Sequence, residues 1–317
     1  MSQPMKPSSI RAVVVGGGTM GADIALVLAR AGCRTTVVET AAARQEALAT
    51  QLTQGLESLG CADRRHLLDI QSSLQGCDWP AVDLVIECIP EKLAAKQALF
   101  AQLVEHARAD ALLCSNSSSF PISAIAGELP GARRMLGLHY FMPAHLVPLV
   151  EVVLGAQSDP ELGESLCGFV RGCGMVPVLV RKDLPGFLAN RLQHALAREA
   201  LALIDAGIAT PEDVDAAVRF GFGFRFLAAG PILQRDHAGL DVHCAAAATM
   251  YPDLARNTEP SPSLTTRVAQ GKLGMKTGEG FYRWTAQGIA AERKRYDSVL
   301  RAGLGLIAGE LPKIDDA

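Results

Sequence analysis

Apolar positions along the 317-residue chain change their spacing partway through, and that change divides it. Up to about residue 180, short apolar runs recur at residues 12–15, 35–38, 83–89, 111–114, 135–139, 149–154 and 175–180, and the mixed stretch 67–74 is a candidate for one more short strand. Runs of this length that do not alternate with polar residues read as strands buried on both faces. Between them lie stretches with helical spacing: 22–28, 41–66 (broken at Gly60), and 91–106, where Leu93, Leu99, Phe100 and Leu103 recur at the helix period. Strands alternating with helices predict an α/β fold, a doubly wound and mostly parallel sheet with helices on both faces. Residues 41–66 exceed what a crossover needs and are expected to project beyond the sheet.

At Asp183-Leu184-Pro185-Gly186 the alternation stops. A domain boundary is placed there, with residues 1–184 forming the sheet domain and 185–317 an all-helical one. Residues 187–205 read as a long helix ended by Gly207. Thr210 is an N-cap candidate, followed by Pro211 at the first helical position and by two acids that suit the helix dipole. Gly230-Pro231 interrupts the chain before an Ala-rich helix at 242–250. Length allows each domain its own core, and the apolar helical part suits helix packing or a subunit interface. The closing LPKIDDA is expected to fray.

Composition narrows the class. Apolar residues make up 49% and charged residues 20%, a globular balance. Net charge is −3 and the pI about 6.2, so no global field favours nucleic acid or an anionic membrane. No apolar run reaches the ~18 residues of a membrane span, and the N-terminus lacks a signal-peptide core. A cytoplasmic location is expected. The eight cysteines form no C-x-x-C pair and read as free thiols. The seven histidines lack metal-ligand spacing, and Asp236, His237, Asp241 and His243 read as a polar helix surface, so no metal is expected.

Candidate chemistry begins at Gly16-Gly17-Gly18-Thr19-Met20-Gly21, which follows the first strand and opens the first helix. Strand, glycine turn and helix form the dinucleotide-binding context. Gly16 permits the tight turn, Gly18 lets the backbone approach a pyrophosphate, and Gly21 lets helix and strand pack closely. The helix N-terminus would hold the phosphates. A plain strand-to-helix turn is the alternative. Glu39, ending the next strand, favours NAD: a carboxylate there accepts both ribose hydroxyls and repels the extra phosphate of NADP. Arg44 lies near enough in sequence to bear on NADP as well.

Oxidation of an alcohol needs a base for the hydroxyl proton, work that suits histidine. His139 ends a strand, and Glu151 stands alone among apolar residues in the strand that follows. A buried acid requires a partner, and a carboxylate on the far ring nitrogen would fix the imidazole tautomer. A surface-facing glutamate on a half-exposed strand is the alternative. Ser118, in the polar loop 115–119 beyond a strand end, could bond the substrate oxygen, or could serve as a turn or cap residue, a part equally open to Ser117 or Ser119. Asn190 could face the cleft or bond neighbouring backbone.

These motifs, in the order VVVGGGTMGADIA, DLVIECIPEKLAAKQALF, SNSSSFPI, LGLHYFMPAHLVPLVEVV, DLPGFLANRL and GKLGMKTGEGFYRW, resemble the L-3-hydroxyacyl-CoA dehydrogenase superfamily over nearly the whole chain. The resemblance implies an N-terminal Rossmann domain, a helical C-terminal domain that dimerises, and an active site between them. It implies His139 as catalytic base, Glu151 as its orienting acid, and Ser118 and Asn190 as substrate contacts. Gly16, Gly18, Thr19, Met20, Gly21, Glu39 and Asn116 would contact NAD, with Glu91 and Lys96 near the nicotinamide. The first reading that the resemblance implies is the family default, NAD-dependent oxidation of a short-chain 3-hydroxyacyl-CoA such as the hydroxybutyryl thioester to the 3-ketoacyl-CoA. The alternative is the same chemistry on a small hydroxy acid or alcohol without CoA. Two departures bear on substrate. Met142 replaces the family Asn of H-x-x-N-P, and residues 40–82 contain no lysine where fatty acyl members are long, Lys-rich and touch CoA. Charge and length there are closer to members acting on carnitine, gulonate or pyridine carboxylates. A non-catalytic NAD(H)-binding protein, as in the lens-crystallin relative, is the reading of another class.

Overall fold

A computed structural model describes residues 5–315. Eight strands form one sheet: β1 (Arg11–Val15), β2 (Arg34–Val38), β3 (Leu68–Gln71), β4 (Leu84–Glu87), β5 (Leu112–Ser115), β6 (Met135–Tyr140), β7 (Leu149–Leu154) and β8 (Val176–Val180). Their order is β3-β2-β1-β4-β5-β6-β7-β8. Every neighbouring pair is parallel except β6 and β7, which run antiparallel with His139 directly opposite Glu151. Neighbouring β1 and β4 form the switch point where the winding reverses, the place where open α/β sheets bind ligands beyond their strand ends.

Helices cover both faces. Helix α1 (Thr19–Arg30), α2 (Ala42–Ser58), α3 (Leu93–His106), α4 (Ile122–Ala126) and α5 (Pro160–Gly172) connect the strands. Alternation sorts the core into two layers. Val14, Ile86 and Cys114 pack with α1, α2 and α5, while Val13, Val85 and Leu113 pack with α3 and α4. The expected projection of 41–66 is corrected. Leu48, Leu52 and Leu56 bury an i, i+4 stripe of α2, and a Cβ on Gly55 would overlap the side chain of Leu26 in α1. Residues 62–67 then form a separate 3-10 turn.

One compact unit runs to Arg191 and takes in the C-terminal residues from Ala308; Leu192–Ile307 forms the other. As far as Asp315 the closing stretch is pinned, not frayed as expected. Ile314 bridges to Cys173, and the Asp315 amide donates to the Gly172 carbonyl at 3.0 Å. Of LPKIDDA, the last two residues lie outside the described residues.

Helices dominate the second unit: most of α6 (Ala189–Asp205), then α7 (Pro211–Ala217), α8 (Pro231–Ala238), α9 (Leu240–Met250), α10 (Pro262–Ala269) and α11 (Ala286–Leu306). Thr210 caps α7 in a reciprocal box with Asp213. The expectation that each part buries its own core fails here: among the described residues only Ser261 of this unit is buried, and none of its apolar side chains is. No single helix among the described residues is long and apolar enough to cross a membrane.

Candidate active site

The glycine turn is fixed by crowding at two points and left open at a third. Gly16 adopts φ 110° against the Cys88 carbonyl, where a Cβ would come within 2.7 Å of its oxygen. A Cβ on Gly21 would overlap the Gly16 carbonyl oxygen, so β1 and α1 can approach only with glycine there. Gly18, the N-cap of α1, faces open space; its nearest neighbour would be Arg44 Nη2 at 3.9 Å. No side chain caps α1, so its first amides, beginning at Thr19 and Met20, are free for an anion. The cradle fits a dinucleotide diphosphate. Beside it, Glu39 Oε2 accepts from the Gly17 amide at 3.2 Å and Oε1 from the Ala41 amide at 2.9 Å. The carboxylate is thereby held at the end of β2, where a ribose would lie.

Beyond β4 a buried charge cluster organises the next loop. Lys96, only 1% exposed, directs Nζ at Glu87 Oε1 (2.7 Å), Glu91 Oε2 (3.1 Å) and the Ile89 carbonyl (3.3 Å). All three ammonium donors therefore face protein acceptors. Ser115 donates to the other oxygen of Glu87 at 2.5 Å. Glu91 Oε1 gathers the loop: the hydroxyls of Ser117 (2.6 Å) and Ser119 (2.7 Å) and the amides of Ser118 (3.2 Å) and Ser119 (3.0 Å) all donate to it. Burial alone would raise the Glu91 carboxyl, but the Ser117 and Ser119 hydroxyls and the Lys96 ammonium hold it down at about 2. The turn role open to Ser118 belongs to Ser117, whose Oγ accepts the Phe120 amide at 3.0 Å. Asn116 spends its Oδ1 on the Tyr140 amide at 2.8 Å.

Ser118 is free to reach His139. Its Oγ lies 3.1 Å from Nε2, and Nδ1 lies 2.8 Å from Glu151 Oε2. Antiparallel register produces the second contact, because residues directly opposite one another share a face and lie close. Glu151 is fully buried, so the surface reading is excluded. Burial would raise its carboxyl; hydrogen bonds from His139 and from the Ala189 and Leu188 amides outweigh that and hold it below the usual range. Those amides, at 2.8 and 3.0 Å from Oε1, leave Oε2 to the imidazole. Asn190 Nδ2 approaches the Ser118 carbonyl at 3.4 Å.

Two contributors carried little signal in the sequence. Phe187 has φ 48°, the one described non-glycine residue in the left-handed region. It follows Gly186 at φ 77°, and this turn delivers the Leu188 and Ala189 amides to Glu151. Its ring lies edge-on 5.6 Å from His139, and Phe141 flanks the imidazole at 4.5 Å. Glu87, one acid in an apolar strand, gave no sign of which base it meets. Met142, where the family pattern has Asn, is 66% exposed.

Residues 11–184 match the NAD-binding domain of 3-hydroxyacyl-CoA dehydrogenase, and 186–284 match the C-terminal domain of the same family. The chain is 31% identical over 295 residues to 5-formyl-3-hydroxy-2-methylpyridine 4-carboxylate 5-dehydrogenase of Mesorhizobium japonicum, covering 89% of this chain and 94% of the relative. It is 35% identical over 285 residues to 3-hydroxybutyryl-CoA dehydrogenase of Mycobacterium tuberculosis, covering 86% and 98%. A crystal structure of the pyridine-carboxylate 5-dehydrogenase, described as an NAD+-dependent dismutase, superposes with a TM-score of 0.87 at 29% identity, covering 93% of this chain and 98% of that one. For (S)-3-hydroxybutyryl-CoA dehydrogenase of Ralstonia eutropha the TM-score is 0.71 at 27% identity, with 87% and 99% covered. With its glycine cradle and the two matched domains, this chain belongs to the 3-hydroxyacyl-CoA dehydrogenase family.

Proposed function

We propose that this NAD-dependent dehydrogenase oxidises the secondary hydroxyl of a small carboxylated substrate that carries no CoA. Bound NAD supplies the hydride acceptor. His139 takes the hydroxyl proton at Nε2, Ser118 Oγ orients the substrate oxygen, and Glu151 fixes the Nδ1–H tautomer and stabilises the imidazolium that forms. Asn190 is assigned to substrate contact beside Ser118. Gly16, Gly18, Thr19, Met20, Gly21, Glu39 and Asn116 are assigned to the dinucleotide. Glu91 is assigned to the nicotinamide side, also by holding the serine loop; Lys96, buried with its three donors spent on protein, is assigned there only as the group that positions Glu91 and Glu87.

Charge on the segment after Glu39 carries the substrate reading. In fatty acyl relatives that segment offers lysines to CoA. Here Arg64 pairs with Asp63 at 3.7 Å, and Arg65 is turned inward onto the Leu68 carbonyl (2.7 Å) and Thr53 (3.3 Å). No lysine replaces them. The structural likeness to the pyridine-carboxylate enzyme, whose named substrate is a formyl carboxylate without CoA, supports the CoA-free carboxylate part of the reading. The default of a short-chain hydroxyacyl-CoA keeps the support of 35% identity to the hydroxybutyryl-CoA enzyme. A steady-state panel read by NADH absorbance tests the two: 3-hydroxybutyryl-CoA against free 3-hydroxy acids, carnitine and gulonate. Higher kcat/KM for a free acid is expected. Higher kcat/KM for the thioester refutes the CoA-free reading.

We also assign residues 1–184 to NAD binding and 185–317 to substrate binding and dimerisation. A homodimer is supported by the coreless helical unit, whose exposed Phe220, Phe224, Ile232 and Leu240 await cover. Eight free cysteines support a cytoplasmic location.

A further inference from the structure

Glu39 does not stand alone at the ribose end of the cradle. Arg44, in the first turn of α2, brings Nε to 3.7 Å from Glu39 Oε2, and its Nη2 reaches the Gly17 carbonyl at 3.4 Å. Nη2 is also the atom closest to the open side of Gly18. The guanidinium thus sits among the three groups that define where adenosine ribose and diphosphate would meet. Its side chain is 58% exposed, while that of Glu39 is 11% exposed. An arginine that served only to neutralise Glu39 would need no contact with the glycine turn.

We propose that Arg44 is a specificity residue that opens this site to the 2′-phosphorylated dinucleotide, so that the protein binds NADP(H) as well as NAD(H). A lone carboxylate rejects a 2′-phosphate by repulsion. Here a cation within 4 Å of the same oxygen offsets that repulsion, and guanidinium N–H groups match phosphate oxygens in geometry and charge. Half-exposure lets the side chain swing to a phosphate, giving up only the long 3.4 Å, part-buried contact with the Gly17 carbonyl. Glu39 keeps its two backbone amides through that movement, so the ribose-facing carboxylate stays in place. The site therefore holds both the acid that selects NAD and the cation that accepts the phosphorylated form.

The inference rests on dinucleotide binding and on nothing about the substrate. Fluorescence titration of the full chain with NADH and with NADPH tests it without any turnover. Wild-type protein is expected to bind both, and Arg44→Ala is expected to raise the ratio of the NADPH to NADH dissociation constants by about tenfold, the effect of losing one charge-assisted hydrogen bond. Arg44→Lys is expected to fall between, since charge survives and the planar fork is lost. An unchanged or lowered ratio in Arg44→Ala overturns the proposal, as does a wild type that binds NADH yet shows no NADPH binding at 100 times that dissociation constant, taken as about the limit of useful discrimination. NADH binding in the same titration reports separately on the cofactor cradle.

Discussion

His139 is held on four sides: Glu151 on Nδ1, Ser118 on Nε2, and the rings of Phe141 and Phe187 at its edges. These contacts restrain the imidazole, as the general-base role proposed for it requires. Replacing it with Gln should lower kcat by about 10²–10⁴-fold, the usual worth of a positioned acid-base group, while NADH binding persists. Stopped-flow turnover alongside nucleotide fluorescence checks both halves. Glu91 gives a prediction in pH. Its carboxyl is lowered from 4.5 to about 2, so the native state favours its ionised form. That stabilisation is complete above about 4.5 and is lost as pH falls towards about 2. Glu91→Gln should therefore unfold at lower denaturant than wild type at pH 7, and the gap should narrow as pH drops below about 4.5. A gap that stays constant with pH would show that the loss is steric.

At the scale of elements, β1, the glycine turn and α1 act as one piece, and its glycines have separable tasks. A Cβ at position 21 meets the Gly16 carbonyl, so Gly21→Ala must push α1 off β1 at a cost of about 1–3 kcal/mol or more. Position 18 has no atom within 3.9 Å. Gly18→Ala should keep the wild-type melting temperature and lose NADH affinity instead, because the new methyl occupies space meant for the diphosphate. Thermal melts of both variants, with and without NADH, separate packing from recognition. The β6–β7 pair is the second such piece. Only antiparallel pairing sets His139 opposite Glu151; a one-residue slip would turn one of them to the opposite face.

For the whole molecule the decisive feature is unequal burial. The sheet unit has a core on each face, whereas the helical unit buries no apolar side chain among its described residues. A domain without a core does not hold a unique fold in water unless another surface covers it. Light scattering after size exclusion should give twice the 33.5 kDa of one chain. A monomer at micromolar concentration would leave the exposed Phe220, Phe224 and Ile232 unexplained.

Much of this was legible along the chain, because local chemistry decides it. Consecutive valines require a strand buried on both faces, a glycine turn before a helix requires a close backbone approach, and a lone acid among apolar residues requires a partner. Hence the eight strands, the glycine turn and the contact between His139 and Glu151 follow from residue type and order. Other features depend on what meets across space. Glu87, a lone acid in an apolar strand, requires a partner as Glu151 does, but nothing local shows that the partner is Lys96, nine residues on in a helix. The left-handed Phe187, whose turn brings two amides to Glu151, has no signature beyond its glycine neighbour. Arg44 became more than a nearby cation only when β2 and the glycine turn were brought side by side. Residue type specified which groups the site contains; register and burial decided which of them touch.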